Sequence, residues 1–286
     1  MQWVICFMDA KLSMLLCGLV LLCCLPAVAQ AEKAPEGIWK ELTPGLWYAG
    51  FQKPQTPDQA RLEISVLRID PVHYRFRLLS ASEQDDRRRT IKGWVHEFNL
   101  TAGINAGMFW KDLRTSTGFM KNFEHQNNSI IHQDYGAFFA FNPVSESVPP
   151  VALIDRELNP EWKFRIQDYW TVVQNYRMIS LDRENVWIQS QKKYSVAAVG
   201  MDRDGLVLFI FSRQPRSIHD VNKALLELPI NIRNCMFVEG GPVASMYVKT
   251  EAMEREWAGV HKNTFWSEVP GSMAQIPNVI GIVAKE

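Results

Sequence analysis

Residues 196–211 read VAAVGMDRDGLVLFIF. Two apolar runs, residues 196–201 and 206–211, flank Asp202-Arg203-Asp204-Gly205, where Asp and Gly stand at the positions a tight turn prefers. The pattern predicts a β-hairpin. The turn carries two acids, but it is shorter than a calcium-binding loop, so a plain turn is the simpler reading. The same grammar extends in both directions. Leu62, Ile64 and Val66 alternate with Glu63 and Ser65, and Tyr74, Phe76 and Leu78 alternate with Arg75 and Arg77. Period two on either side of Asp70-Pro71 predicts two strands paired with each other. Residues 83–89 are a mixed charge run, expected to be a solvated loop, with a binding patch as the alternative. Thr90 is placed to cap a helix carrying Ile91, Trp94, Val95 and Phe98 on one face. Downstream of the hairpin, Ser217 opens a helical stretch through Val221, Ala224, Leu225 and Leu228 that ends at Pro229. Residues 236–238 read as a short buried strand and residues 279–283 as a closing one. Strands dominate and the helices are interspersed irregularly. The expectation is a single mixed α+β domain over residues 37–286 with a strand-rich core.

The first 29 residues follow another logic. An apolar run over residues 12–29 is preceded by Lys11 and ends in Ala27-Val28-Ala29-Gln30-Ala31. A short positive region, an apolar core and small residues at alternate positions are what a signal peptidase reads. Residues 1–29 are therefore expected to be a signal peptide and residues 30–36 a linker, giving a periplasmic or extracellular protein. An uncleaved membrane anchor is the alternative, since the run reaches the lower length limit of a spanning helix. Cys23 and Cys24 are preceded by Leu22 and Cys23, neither of them the small residue that lipoprotein processing favours. No second apolar stretch of that length exists, so no stable membrane insertion is expected after cleavage. Four of the five cysteines fall in the first 24 residues, leaving Cys235 alone and assigned to the core. With 31 basic and 31 acidic residues there is no global electrostatic reason to bind nucleic acid, although a local patch can exist. Removing Asp9 and Lys11 with the signal leaves that balance intact. The ten Trp and fifteen Phe can fill a large core.

Three segments place Gly, Asn and acidic residues at the ends of apolar runs, where backbone can approach a ligand. The first is Gly103-Ile104-Asn105-Ala106-Gly107-Met108-Phe109, in which Asn105 either meets a ligand or ties down a loop. The polar loop after it holds His125 and His132, whose spacing fits no standard metal site. The second is Gln174-Asn175-Tyr176-Arg177-Met178-Ile179, where Arg177 can clamp a phosphate or form a structural salt bridge. The third runs from Phe237 through Glu239-Gly240-Gly241-Pro242 to Ser245, Met246 and Tyr247. A carboxylate at a strand end followed by two glycines leaves space for a substrate beside an acid or base. The double glycine can equally be only a tight turn. No metal or other cofactor is implied, and nothing in the sequence sets the oligomeric state.

Taken in order, these segments and the hairpin ending Val199-Gly200-Met201-Asp202 resemble the phosphodiester glycosidase family over residues 62–283. Members usually carry Asp-Gly-Gly where this chain has Glu239-Gly240-Gly241, and Ser-Gly-Pro where it has Asn175-Tyr176-Arg177. The Arg-containing stretch that often precedes the family's hairpin is Tyr194-Ser195-Val196 here, so Arg177, Lys192 or Lys193 would have to supply a positive charge. The resemblance implies hydrolysis of a sugar 1-phosphodiester between the anomeric carbon and the phosphate. It gives Glu239 the acid/base or anomeric-carbon role, Arg177 the phosphate, and Asn105 and Asn175 the sugar hydroxyls. Gly107, Gly240, Gly241 and Ser245 complete the expected substrate contacts. The alternative is a non-catalytic envelope protein that binds glycan or polymer in the same cleft, with Trp faces stacking on sugar rings. An exported inhibitor is a weaker option, because no peptide-recognition signature is present.

Overall fold

The hairpin of residues 196–211 lies at the centre of the largest of the three sheets formed by the described residues. The computed structural model describes residues 37–53, 62–260 and 274–286; the expected signal peptide and linker lie outside them. In chain order the strands are β1 (Lys40–Thr43), β2 (Leu46–Lys53), β3 (Leu62–Ile69), β4 (Tyr74–Ser80), β5 (Ala102–Asn105), β6 (Met120–Asn122), β7 (His125–Asn128), β8 (Ala137–Pro143) and β9 (Val151–Asp155). They continue with β10 (Tyr169–Asn175), β11 (Arg177–Ile179), β12 (Tyr194–Asp202), β13 (Val207–Arg216), β14 (Ile232–Gly240), β15 (Ser245–Lys249), β16 (Glu254–Ala258) and β17 (Asn278–Ala284). The first sheet has the order β1-β2-β3-β13-β12-β14-β11, the second β7-β6-β10-β8-β9, and the third β16-β15-β5-β17-β4. Among the described residues three α-helices intervene, α1 (Ile91–Glu97), α2 (Trp162–Arg165) and α3 (Ile218–Glu227). The strand-rich core with interspersed helices is present, and the balance lies well towards β.

In the central hairpin Ala197 faces Phe211, Ala198 faces Ile210 and Met201 faces Val207. The Asp202 carboxylate accepts the N–H groups of Asp204 and Leu206 at 2.9 and 2.8 Å, which closes the turn. Arg68 on β3 reaches both acids at 2.7 Å. The turn acids are thus tied to a neighbouring strand. Among the described residues no group of three or more His, Cys, Asp or Glu side chains is placed to hold a metal.

The expected pairing of residues 62–66 with 74–78 is corrected. β3 pairs with β2 and β13, whereas β4 pairs with β17 in a different sheet. The bend between them is held by Asp70, whose carbonyl accepts the N–H of Tyr74 and whose carboxylate accepts that of Val72. It carries the chain from one sheet to another. β3 also buries both faces, with Val66 in one apolar cluster and Leu67 in another, so it takes a partner on each side.

One apolar interior draws on all three sheets: Leu67, Val199 and Phe209 from the first, Phe139 and Val173 from the second, Phe76, Ile104 and Ile280 from the third. Phe76 sits edge-on to Phe139 and Phe209, with centroids 5.6 and 6.2 Å apart. Each such side chain contributes about 2 kcal/mol by leaving water. Outside this interior, α3 packs Ile218, Val221 and Leu225 against Leu208 and Ile210, and Cys235 is buried in the same cluster. Burial pushes the Cys235 thiol far up, so it stays protonated and inert.

Thr90 caps α1 by accepting the Gly93 N–H at 3.0 Å, and Ile91, Trp94 and Val95 face inward. The charge run before it is not simply solvated. Arg89 is buried, paired with Asp85 and Glu97 at 2.8 and 2.6 Å, and lies 4.6 Å from the centre of the Trp94 ring. A guanidinium with two carboxylates and an aromatic face tolerates burial that a lone charge would not.

Candidate active site

Glu239 owes its direction to a fault in the strand that carries it. On β14, Phe237 faces Ala198 and Glu239 faces Ala197, so Val238 is an extra residue in the ladder. Cross-strand neighbours share a face, and Ala197 belongs to the interior cluster whereas Phe237 belongs to the outer one. Without the bulge Glu239 would follow Phe237 outward; with it the carboxylate turns inward. Only 6% of the residue is exposed. Its hydrogen-bond donor is the N–H of Gly240, 3.0 Å from Oε1, and it makes no ion pair among the described residues. Burial pushes its pKa up to about 8, and the Gly240 N–H offsets this only in part. The carboxyl is therefore largely protonated at neutral pH.

Aromatic rings line this region. Tyr135 stacks on His132 with centroids 3.9 Å apart, meets Tyr176 at 4.4 Å, and donates its hydroxyl to Thr117 Oγ1 at 2.9 Å. Tyr176 stands edge-on to Trp187 at 5.5 Å, and Tyr194 edge-on to Phe237 at 6.4 Å. Burial raises the pKa values of Tyr135 and Tyr194. Tyr176 adds to both, and the Glu239 charge adds to Tyr135. Glu239 is thus an acid beside a group of tyrosines.

The two asparagines hold the frame around it. Asn105 Nδ2 donates to the Val243 carbonyl at 3.0 Å, and its Oδ1 accepts the N–H of Ser245 at 2.7 Å and its hydroxyl at 3.3 Å. This ties β5 to the loop that follows Glu239. Asn175 donates to the Val238 carbonyl at 3.2 Å and accepts the Tyr176 N–H at 2.8 Å, which ties β10 to the bulge. Both side chains spend most of their hydrogen-bonding capacity on backbone. A Cβ at Gly107 would stand 3.6 Å from Asn175 Nδ2 and 3.7 Å from Ser116 Oγ, a buried hydroxyl without a partner among the described residues. A Cβ at Gly240 would stand 3.0 Å from the rings of both Phe237 and Tyr194, which would have to give by a few tenths of an ångström. Gly241 needs its residue type for another reason, a φ of +70°.

Arg177 does not join them as a phosphate clamp. Its guanidinium is bound to Asp155 at 2.9 Å and Glu157 at 2.8 Å, the salt-bridge alternative. The fork is already filled by carboxylates and pins β11 to the end of β9. Lys192 and Lys193 are exposed immediately before Tyr194. Tyr135 and His132, absent from the expected site, carry no local sequence signal. They arrive through the pairing of β8 with β10, which sets Ala137 opposite Asn175.

A family model for phosphodiester glycosidases matches residues 98–283. Among solved structures, the chain is similar to the catalytic domain of zebrafish N-acetylglucosamine-1-phosphodiester alpha-N-acetylglucosaminidase, auto-inhibited by its pro-peptide. The identity is 12% and the TM-score 0.57, covering 90% of this chain and 87% of that one. A hypothetical protein from Synechocystis is similar at 11% identity and a TM-score of 0.57, covering 84% of this chain and 62% of that one. At such identities the likeness is one of fold. No curated protein sequence matches the chain. The family match runs from the end of α1 into β17 and includes Asn105, Asn175 and Glu239, so the chain belongs to the phosphodiester glycosidase family.

Proposed function

We propose that this member of a hydrolase family cleaves a sugar 1-phosphodiester in an exported or envelope glycan, with Glu239 as the acid and then the base. The observation that carries this reading is the buried, unpaired Glu239 carboxyl, held protonated at neutral pH and turned inward by the Val238 bulge. A group with a pKa near the working pH both gives and takes a proton efficiently. In the reaction the bond between the anomeric carbon and the bridging oxygen breaks as the Glu239 proton passes to the departing phosphate. Water then adds to the anomeric carbon, and its proton returns to Glu239. Charge on the sugar ring develops beside the tyrosine rings, whose faces are suited to a cationic ring. Asn105 and Asn175 act as positioning residues that fix the two strand ends and the loop. We place the phosphate towards Lys192 and Lys193. Export rests on the signal-like run of residues 12–29; no helix among the described residues is long and apolar enough to cross a membrane. Release of sugar from a sugar 1-phosphodiester by the native chain and by Glu239→Gln tests the reading.

The rings of Tyr135, Tyr176 and Tyr194 also favour a second reading, a glycan-binding protein that cleaves nothing. Tight binding of an envelope glycan with no released sugar from any sugar 1-phosphodiester would select it.

A further inference from the structure

Far from Glu239, three arginines meet at the other end of β14. Arg183 lies in the turn after β11, Arg203 in the turn of the central hairpin and Arg233 at the start of β14; together with Leu181 and Asp182 they line a cavity of about 300 Å³. Elsewhere three shielded arginines each meet two acids: Arg68 with Asp202 and Asp204, the buried Arg89 with Asp85 and Glu97, and Arg177 with Asp155 and Glu157. None of Arg183, Arg203 and Arg233 has a side-chain hydrogen bond or ion pair among the described residues. Three guanidinium groups against the single Asp182 carboxylate leave the cavity positive in a chain whose total charge cancels. Partial burial and the nearby Arg203 charge both weaken the proton affinity of Arg183, so the crowding is felt. Like charges brought together without counter-charge are costly, and an anion removes that cost.

We propose that Arg183, Arg203 and Arg233 form a second binding site, separate from Glu239, for a chain that carries several phosphate groups. Guanidinium forks match phosphate oxygens two at a time, and three forks around one cavity match a run of phosphates better than a single anion. Among the described residues no aromatic ring lines the cavity to stack a base, which favours phosphates linked through sugars, polyols or one another over nucleic acid. Arg233 and Glu239 are six residues apart on one strand, roughly 20 Å at about 3.3 Å per residue, so a ligand held here does not occupy the candidate active site.

The test is calorimetric titration of the full chain with inorganic tripolyphosphate at low and moderate salt, beside Arg183→Gln/Arg203→Gln/Arg233→Gln. The native chain is expected to bind tripolyphosphate more tightly than orthophosphate, and at least tenfold more weakly at the higher salt. The triple variant is expected to lose at least tenfold in affinity at a melting temperature no lower than that of the native chain. Arg233→Gln alone, at an exposed strand position, is expected to lose about threefold and serves should the triple variant misfold. Absence of tripolyphosphate binding by the native chain, equal binding by the variants, or tighter binding of a single-stranded oligonucleotide than of tripolyphosphate would overturn the proposal. Binding is read without turnover, so this outcome is separable from the fate of the Glu239 reading.

Discussion

Asn175 Nδ2 lies 3.2 Å from the carbonyl oxygen of Val238, the residue whose insertion turns Glu239 inward. The amide at the end of β10 therefore holds the bulge on β14. Asn105 does the same for the following loop through Val243 and Ser245. The carboxyl itself is held by strand geometry and by one backbone N–H.

Replacing Asn105 by Ala removes two buried hydrogen-bond partners of the loop and leaves the Val243 carbonyl and Ser245 N–H unmatched. A stability loss of about 3 kcal/mol is expected in urea unfolding. Asn105→Asp keeps the acceptor for Ser245 but sets a buried carboxylate against the Val243 carbonyl, so it is expected to be at least as destabilised as the Ala variant. Equal stability of all three proteins would show that the loop is held in some other way.

Arg177→Gln leaves Asp155, whose side chain is 1% exposed, without its guanidinium. Breaking a buried pair is expected to destabilise by about 3 kcal/mol, while the kcat of the folded variant on a sugar 1-phosphodiester changes little. A variant of native stability whose KM rises tenfold or more would restore Arg177 to the phosphate.

If Lys192 and Lys193 face the phosphate, Lys192→Ala/Lys193→Ala raises KM by about tenfold and leaves kcat within a few-fold, since both are exposed and neither moves the proton. Steady-state kinetics at low salt would show it, and an unchanged KM would contradict it.

The raised pKa of Glu239 also makes a thermodynamic prediction. In the unfolded chain the carboxyl ionises near 4.5, in the fold only near 8. The fold then binds a proton that the unfolded chain has released, so the contribution of this one group to stability is fullest below about pH 4.5 and is lost as pH rises towards 8. Glu239→Gln lacks this decline. Its advantage over the native chain is expected to grow across that window by up to a few kcal/mol, read from melting curves at several pH values. Parallel pH profiles for the two proteins would place the carboxyl in water.

Much of the fold was legible in the sequence, for identifiable reasons. The central hairpin, α1 with its Thr90 cap and α3 after Ser217 each announce themselves through local period and end residues. The pairing of β3 and β4 did not. Period two reports which face is buried and says nothing about which strand lies alongside, and the bend at Asp70 sends the two strands to different sheets. The burial of Arg89 was equally hidden, because its carboxylate partners read as a solvated charge run. At the candidate site, Glu239 and the asparagines stand out in the sequence as polar residues at the ends of apolar runs. That the asparagines bind backbone and Arg177 binds carboxylates depends on which strand ends meet. The same holds for Tyr135, Tyr176 and Tyr194, brought together by β8, β10 and β12 from distant positions in the chain.

In the proposed cleavage of a sugar 1-phosphodiester, Glu239 moves the proton. The most direct measurement is kcat/KM against pH for release of sugar from such a substrate, by the native chain and by Glu239→Gln. The native profile is expected to hold up to about pH 8 and fall above it as the carboxyl ionises, and the Gln variant to be at least 100-fold slower with that descending limb gone. Native turnover by Glu239→Gln, with the same descending limb, would contradict the claim.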